Sequence, residues 1–322
     1  MGEIIKKKSY LERVDVLKNE PLVNVTNKVL LGFHASGKTT FLAALWHLLN
    51  YDFSPTAPFK LINLESYDTK YLNEIKKRWI KFKEVYHTGM YERHNIEIYL
   101  QNRNSHRKHT LSFLDISGDI FQKCWSERYW DKDFDRYVQI ADSVILFINP
   151  INQIYPNTIN EVYEVFHEVF LEPHDYSFDI DTFFEDMAIP FDVTPWDADD
   201  APSQVKLIEL LQIVLQRCLP GCKLTVVVSA WDTIQFNNIS PELWVGRRLP
   251  LLMQYLIANF SYGKNLTVFG LSAQGAPYHS KTEKERAKQK LANLDAIDRI
   301  IVSKSKNEPG TMFDILKWIC DE

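Results

Sequence analysis

The sequence has few cysteines, and their spacing indicates neither a disulfide framework nor a zinc site. Four cysteines occur in 322 residues, and the two that lie nearest each other, Cys218 and Cys222, are interpreted as ordinary thiols. The chain also has no apolar run long enough for a signal peptide or a membrane-spanning helix. These absences argue against a disulfide-rich secreted scaffold and favour a protein of the reducing cytoplasm.

An excess of basic charge is also missing. The formal net charge is -5 at pH 7, which makes direct binding of nucleic acid an unexpected function for this chain. The apolar fraction of 45% is sufficient for a sizeable core. Length alone allows one large domain or two small ones, and the patterns below favour a single domain over residues 1–322.

One stretch predicts a phosphate-binding loop. Residues 32–39 are Gly-Phe-His-Ala-Ser-Gly-Lys-Thr and lie between a short apolar run and a helix-like segment. In this context the backbone amides and the helix N-terminus bind phosphate oxygens. We expect Lys38 to contact the β- and γ-phosphates and Thr39 to ligate Mg²⁺. The residues predicted to surround the phosphates are Gly32, His34, Ala35, Ser36, Gly37, Lys38, Thr39 and Thr40.

Strand-like and helix-like segments alternate through much of the chain. Largely apolar runs at 142–149 and 223–228 indicate buried strands. Alternating stretches at 95–101 and 110–116, separated by a polar turn, indicate a β-hairpin. Apolar spacing or start signals predict helices at 38–50, 64–86, 205–219, 241–259 and 312–320. The order of elements predicts an α/β fold with helices on both faces of an open sheet and a ligand site beyond the carboxyl ends of the strands.

Two long segments interrupt this alternation. Residues 51–92 are predicted to form a helical insertion that includes a switch loop. Residues 151–204 form an acidic insertion, whose core at 172–200 contains ten acidic residues, no Lys or Arg, and several aromatics. This insertion is either an acidic surface excursion whose aromatics pack onto the body, or an element that binds a partner protein or inhibits the site.

Four motifs together resemble the signatures of Ras-like GTPases of the TRAFAC clade. They are the phosphate loop, residues 115–118 (Asp-Ile-Ser-Gly), residues 229–232 (Ser-Ala-Trp-Asp) and residues 272–274 (Ser-Ala-Gln). More narrowly, residues 37–46 and several shorter motifs resemble the bacterial double-GTPase families of conflict and defence systems. The resemblance implies a Ras-like P-loop NTPase sandwich of three layers, with a mostly parallel sheet, that uses GTP or GDP with Mg²⁺.

The resemblance also implies how a guanine base would be bound. Asp232 would accept hydrogen bonds from the base, and the backbone amide of Ala273, in the motif that begins at Ser272, would donate to its O6 atom. This chain departs from the family pattern because Ser229 replaces Asn or Thr and Ala230 replaces Lys. We expect Trp231 or Gln274 to compensate by packing near the base.

Residues for magnesium binding and hydrolysis follow from the second motif. Asp115 would support the ion, and the Gly118 amide would sense the γ-phosphate. A switch threonine should complete the magnesium shell, with Thr88 as the candidate and Thr56 and Thr69 as rivals.

The water-orienting position has an unusual occupant. Ras-like enzymes have Gln immediately after Asp-x-x-Gly, whereas Asp119 stands here, and its negative charge beside the γ-phosphate predicts slow intrinsic hydrolysis. His34 is either an electrostatic helper of the reaction or a side chain that the loop tolerates.

Three functions agree with the sequence. The first is a GTP-hydrolysing molecular switch in a bacterial defence or conflict system, acting with another protein such as a partner GTPase or effector. The second is a pseudo-GTPase that binds nucleotide without hydrolysing it and works as an interaction module. The third is an ATP-using P-loop enzyme, which would not need Asp232 and the Ser272–Ala273 pair.

Overall fold

A computed structural model describes residues 23–51, 57–63, 69–83, 85, 93–156, 197–234, 239–277, 280–304 and 308–320. Within these ranges the strands are β1 (Val23–Leu31), β2 (Phe59–Asn63), β3 (Arg93–Asn102), β4 (Lys108–Ile116), β5 (Ser143–Ile148), β6 (Lys223–Val228), β7 (Leu266–Ser272), β8 (Ile301–Ser303) and β9 (Pro309–Gly310). All of them belong to one sheet of nine strands.

The α-helices in the described ranges are α1 (Lys38–Asn50), α2 (Thr69–Ile80), α3 (Gly118–Ser126), α4 (Lys132–Val138), α5 (Ser203–Leu215), α6 (Pro241–Arg248), α7 (Pro250–Asn259), α8 (Lys281–Leu291) and α9 (Met312–Cys320). None of the helices in this part of the chain has both the length and the apolar character that a bilayer span requires.

The strand order places five parallel strands at the centre of the sheet. The order is β2-β3-β4-β1-β5-β6-β7-β8-β9, and the neighbours from β4 to β7 run parallel. Antiparallel pairs extend the sheet on both sides, and one of them is the predicted hairpin of β3 and β4. Because the carboxyl ends of parallel strands meet at one edge, the loops that follow β1, β4, β5, β6 and β7 lie together.

Apolar residues cover the sheet on both faces. One buried cluster joins α3, α4, α5, α6 and α7 to side chains such as Val29 and Leu31 of β1. The other joins α1, α2 and α9 to the opposite face, where Leu30 of the same strand lies. Successive residues of a strand point to opposite faces, so β1 contributes to both clusters. The predicted α/β fold with helices on both faces is confirmed.

Several element boundaries differ from the sequence-based prediction. Of the helix predicted at 64–86, Thr69–Ile80 is helical. The helix ends before the predicted bound, since residues 81–83 form a turn and coil, and residues 64–68 lie outside the described residues. The helix predicted at 241–259 is two helices, α6 and α7, separated at Leu249. Pro250 explains the break, because proline lacks the amide hydrogen and its ring clashes with the preceding turn. The sequence did not predict β2, α3 or α4.

The predicted insertions are described only in part. The insertion at 51–92 contains β2, which pairs antiparallel with β3, and α2, which packs in the same buried cluster as α1. Of the acidic insertion at 151–204, residues 157–196 lie outside the described residues, and so does most of its acidic core.

A tight contact between Gly270 and Trp231 yields a test of the core. A methyl group added at Gly270 would lie closer than 3.0 Å to the buried Trp231 ring. We therefore expect Gly270→Ala to lower the free energy of unfolding by about 1–3 kcal/mol through overpacking, measured by chemical denaturation.

Gly246→Ala is the matched control for this test. The added methyl group would meet only the Met253 side chain, at 3.8 Å, and an alanine inside a helix is favoured over glycine by roughly 0.5–1 kcal/mol. Equal stability of Gly270→Ala and the wild type would contradict the packing described here.

Candidate nucleotide-binding site

Residues from the loops at the carboxyl edge of the sheet enclose one hollow of about 110 Å³. It adjoins a wider depression of about 750 Å³, with which it shares Ala35, Asp232 and other wall residues. The lining residues of the hollow that the sequence predicted as site residues are Ala35, Gly37, Thr40, Asp232, Ser272, Ala273 and Gln274. Residues that are more than 200 positions apart in the sequence thus meet in the fold.

The loop between β1 and α1 has the backbone shape of a tight turn at a helix N-terminus. Ala35 and Gly37 adopt the left-handed region, with φ of 54° and 100°. Gly37 is the N-cap of α1, and no side chain of the described residues caps this helix start. Because the first amides of a helix have no acceptor within the helix, they are available to an anion in the hollow.

The Lys38 side chain is buried against this loop and does not extend into solvent. Its ammonium is buried and donates to the backbone carbonyl oxygens of Gly32, at 2.6 Å, and Phe33, at 3.3 Å. Burial lowers the pKa of Lys38 to about 8, although the charges of Asp115 and Asp119 oppose the shift. The two carboxylates offset only part of the cost of burying this positive charge. The negative charge of a phosphate group beside the ammonium would therefore favour the charged form of Lys38.

Asp115 and Thr39 form the candidate magnesium end. Asp115 is fully buried, and the Thr39 hydroxyl donates to its Oδ2 atom at 3.4 Å. Burial raises the pKa of the Asp115 carboxyl, while a hydrogen bond from Tyr71 and the charge of Lys38 oppose that shift. Because the Thr39 proton is directed to Asp115, the lone pairs of this hydroxyl can face a cation.

The donor set at this end suits Mg²⁺. A hydroxyl and a carboxylate are hard oxygen ligands, and Mg²⁺ in nucleotide sites takes few protein ligands and completes its shell with phosphate and water. In the part of the chain that the structure describes, no group of three or more His, Cys, Asp or Glu side chains could hold a metal ion.

The start of α3 lies against the loop that follows β1. A methyl group added at Gly118 would come closer than 3.0 Å to the backbone of Phe33 and His34. The imidazole Nδ1 atom of His34 lies 3.6 Å from the Asp119 carboxylate, and both side chains are about half exposed. The Ser117 hydroxyl donates to Asp119 at 2.9 Å and caps α3. His34, Gly118 and Asp119 therefore lie together beside the loop that follows β1, and none of the three lines the hollow.

The predicted switch threonine is not placed by the structure. Thr88 lies outside the described residues, as does its rival Thr56. Thr69 is the first residue of α2.

The loop after β6 forms the opposite end. Asp232 is buried and lines both the hollow and the wider depression. Ala230 has a φ of 46° and precedes a short 3-10 helix, Trp231–Thr233. The Ser229 side chain packs next to Gly37, so this loop is in direct contact with the loop after β1.

Trp231 packs inside the protein. Its ring is 1% exposed, belongs to the apolar core and covers Gly270, and Trp231 is not among the residues that line the hollow. Packing of this ring near a base stays a prediction. Gln274 differs, since it lines the hollow, with its amide 3.4 Å from the backbone carbonyl oxygen of Trp79.

The loop after β7 is fixed by hydrogen bonds on both sides. The Ser272 hydroxyl accepts from the Gly275 amide at 2.9 Å. The Ala273 carbonyl oxygen accepts from the indole N–H of Trp79, on α2, at 2.9 Å. These bonds hold the Ser272–Gln274 turn in the wall of the hollow.

Two residues of the site were not identified from the sequence. Asn149 follows β5, and its side chain donates to the Ala35 carbonyl oxygen at 2.9 Å while accepting from the Ile151 amide. An Asn directly after a buried parallel strand is a signal that could have found it. The Tyr71 hydroxyl donates to Asp115 at 2.6 Å. The two residues are 44 positions apart in the sequence, and no local pattern indicates their contact.

The fold and the loop geometry define a P-loop nucleotide-binding protein. A comparison with known families matches residues 29–318 to the family described as Double-GTPase 1. The chain therefore belongs to this family.

Several solved structures are similar to this chain at low sequence identity. The chain is similar to Roco2 RocCORdC of Methanosarcina barkeri bound to GDP (10% identity, TM-score 0.32, 84% of this chain and 49% of that one). It is similar to the GTPase-like domain of S. cerevisiae Ski7 bound to GTP (12%, TM-score 0.38, 98% and 52%). It is also similar to sup35 complexed with GDP (14%, TM-score 0.32, 84% and 41%). The chain spans about half the length of these structures or less. No curated protein sequence matched.

The hydrogen bond from Asn149 to the phosphate loop can be tested by Asn149→Ala. Loss of a hydrogen bond of about 0.5–1.5 kcal/mol should weaken the binding of GDP by about 2- to 12-fold because the loop is less well fixed. Titration of a fluorescent GDP analogue measures the effect.

Asn50→Ala is the control, since it removes a similar bond from an Asn side chain to a backbone carbonyl, that of Trp46, at the far end of α1. If both variants bound GDP as the wild type does, Asn149 would have no role in shaping the loop.

Proposed function

We propose that the protein is a GTP-binding molecular switch that hydrolyses GTP slowly to GDP and phosphate with Mg²⁺. The observation that carries the proposal is the hollow at the carboxyl edge of the sheet. One of its ends is the loop that follows β1, and the other is the buried Asp232. A triphosphate along the loop with its base at Asp232 would use both ends.

The phosphate end is proposed to act by charge and position. Lys38 exchanges its carbonyl partners for β- and γ-phosphate oxygens, while the amides at the start of α1 bind the same phosphates. Thr39 and Asp115 would hold Mg²⁺, which would supply positive charge to neutralise the phosphates. The Gly118 amide is proposed to sense the γ-phosphate, which its contact with the His34 backbone supports.

The base end is proposed to select guanine. The Asp232 carboxylate accepts from the two nitrogen donors of the base edge, and the Ala273 amide donates to the guanine O6 atom. Adenine presents neither the N1 donor nor the O6 acceptor, so the same groups would disfavour ATP. Because Ala230 stands where the family pattern has Lys, one face of the base would lack the contact that the Lys side chain makes in that pattern. Gln274 in the wall of the hollow is the proposed substitute.

Hydrolysis is proposed to be slow in the isolated protein. Asp119 occupies the place from which a water molecule would be oriented, and the 3.6 Å separation from His34 gives this carboxylate a nearby basic partner. A carboxylate can accept a proton from water, but its negative charge repels the negative charge that develops on the γ-phosphate. A partner protein or self-association would then supply the missing stabilisation.

The alternative is a pseudo-GTPase, which binds GTP as an interaction module. The substitutions at Asp119, Ser229 and Ala230 favour it. An ATP-using enzyme is the third candidate and gains no support from the buried Asp232 in the hollow.

The biological setting follows from the family resemblance. We propose a cytoplasmic component of a bacterial defence or conflict system, organised as one GTPase domain over residues 1–322. Its partner would be another protein, such as a GTPase or an effector, bound through the acidic insertion at 151–204. Thr88 is the proposed switch threonine that would complete the magnesium shell.

Substitution of Asp232 tests the guanine assignment. Wild-type protein should prefer GTP over ATP, and Asp232→Ala should lose about 10- to 100-fold of that preference, because a hydrogen bond to a charged group contributes about 1.5–3 kcal/mol. Competition of GTP and ATP against a fluorescent GDP analogue measures the preference.

Asp314→Ala removes a carboxylate that accepts from the Thr311 amide next to α9 and should leave the preference unchanged. A wild-type preference for ATP, or an unaltered preference in Asp232→Ala, would exclude the proposed base site.

Phosphate release separates the switch from the pseudo-GTPase. With excess GTP and Mg²⁺, the purified protein should release phosphate more slowly than about 10⁻² s⁻¹. That is the rate of GTPases whose catalytic arginine lies in the same chain. The rate should rise with protein concentration if self-association assists, and Lys38→Ala should abolish it.

Fast turnover at low protein concentration would contradict the proposed role of Asp119, and bound GTP without phosphate release would establish the pseudo-GTPase. A rate unchanged in His34→Ala would show that the loop merely tolerates this histidine.

A further inference from the structure

Helix α2 contacts both ends of the candidate site. Near its start, the Tyr71 hydroxyl donates to the Oδ2 atom of Asp115 at 2.6 Å. Near its end, the indole N–H of Trp79 donates to the Ala273 carbonyl oxygen at 2.9 Å. Tyr71 and Trp79 are eight positions apart on the helix, which corresponds to a rise of about 12 Å. One short helix thus connects the candidate magnesium end to the candidate guanine end.

The Tyr71 side chain is held in place from a second direction. Its ring stacks on the imidazole of His94, with centroids 3.5 Å apart and planes within 7°. His94 lies on β3 directly opposite Asp115 in the strand pairing. The tyrosine is therefore fixed between its own helix and the strand next to the carboxylate, so that its hydroxyl reaches Asp115 with little freedom.

Helix α2 is itself fixed to the helix that follows the phosphate loop. Leu72, Ile75 and Trp79 are buried in the cluster that contains α1. The side-chain carbonyl of Asn73 accepts from the indole N–H of Trp46, on α1, at 3.0 Å. The position of Tyr71 relative to the phosphate loop is consequently set by packing.

We propose that Tyr71 is a positioning residue for Mg²⁺, and that through it α2 fixes the metal end of the site relative to the Ser272–Gln274 turn. The Oδ2 atom of Asp115 receives two donors, Tyr71 and Thr39. The Tyr71 bond holds the carboxylate in the orientation in which the Thr39 hydroxyl directs its proton to Asp115 and its lone pairs to the ion. This inference rests on the proposed function, since it needs a nucleotide site that binds magnesium.

Tyr71→Phe is the variant that tests the inference, because it keeps the ring that stacks on His94 and removes only the hydroxyl. The affinity for a fluorescent GDP analogue is measured with excess Mg²⁺ and with EDTA. The ratio of the two affinities reports magnesium binding. We expect this ratio to fall by about 10-fold or more in the variant, as is usual when a residue that orients a metal ligand is changed. The affinity in EDTA should equal that of the wild type.

Tyr99→Phe is the matched control. It removes a hydroxyl that donates to Glu97 at 2.8 Å on β3, and both affinities should stay at wild-type values. An unchanged ratio in Tyr71→Phe would overturn the proposal. So would an equal loss of affinity in Mg²⁺ and in EDTA, because that result indicates a purely structural role.

A measurement on the wild-type protein decides the matter if Tyr71→Phe does not fold. Hydrogen exchange of the α2 amides in the GDP complex should slow when Mg²⁺ is added, and exchange that does not change would overturn the inference. If the wild type binds GDP with equal affinity in Mg²⁺ and EDTA, the inference fails while nucleotide binding stands. If it binds no GDP, the proposed function fails and the inference with it.

Discussion

The arrangement of the site depends on how closely other chain segments approach the loop between β1 and α1. Gly118, at the start of α3, has no room for a methyl group because the backbone of His34 occupies that space, and Ser229 packs in the same way next to Gly37. Asn149 adds a direct hydrogen bond to Ala35. These contacts fix the segments that follow β4, β5 and β6 around the loop. Because the strands lie in the order β4-β1-β5-β6 and run parallel, the residues at their carboxyl ends are brought to the same loop.

Charge is arranged along this edge in a way that suits a phosphate and a cation together. Among the described residues, the buried Lys38 ammonium donates to the carbonyl oxygens of Gly32 and Phe33 and to the Ser36 hydroxyl, and burial disfavours its charged form. The buried Asp115 carboxyl is subject to the opposite shift. The charged form of each group would be stabilised by a ligand of opposite charge. A nucleotide bound with magnesium would bring phosphate to Lys38 and a cation to Asp115.

The sequence predicted those parts of the fold that local patterns determine. Helix α1 and strand β6 lie at their predicted bounds, and the hairpin of β3 and β4 was identified by its alternating stretches and polar turn. The phosphate loop was found because its glycines and Gly-Lys-Thr sequence occur between a strand and a helix.

Contacts between distant segments account for what the sequence did not predict. The edge strand β2 exists because β3 offers a partner, and the short helices α3 and α4 are fixed by tertiary packing. The position of the Trp231 ring over Gly270 depends on a contact between β7 and the loop after β6, which no local pattern indicates. Tyr71 reaches Asp115 through the packing of α2, which no spacing in the sequence indicates. The roles of individual residues at the site stay predictions.

The identity of the nucleotide that stays with the purified protein tests the central claim most directly. Release of bound small molecules by denaturation, followed by chromatography against standards, distinguishes guanine from adenine nucleotides. The account predicts GDP or GTP in the wild type and neither in Lys38→Ala, because the phosphates would lose their cation. Adenine nucleotides in the wild type, or a protein that carries no nucleotide and binds none when GDP and Mg²⁺ are added, would contradict it.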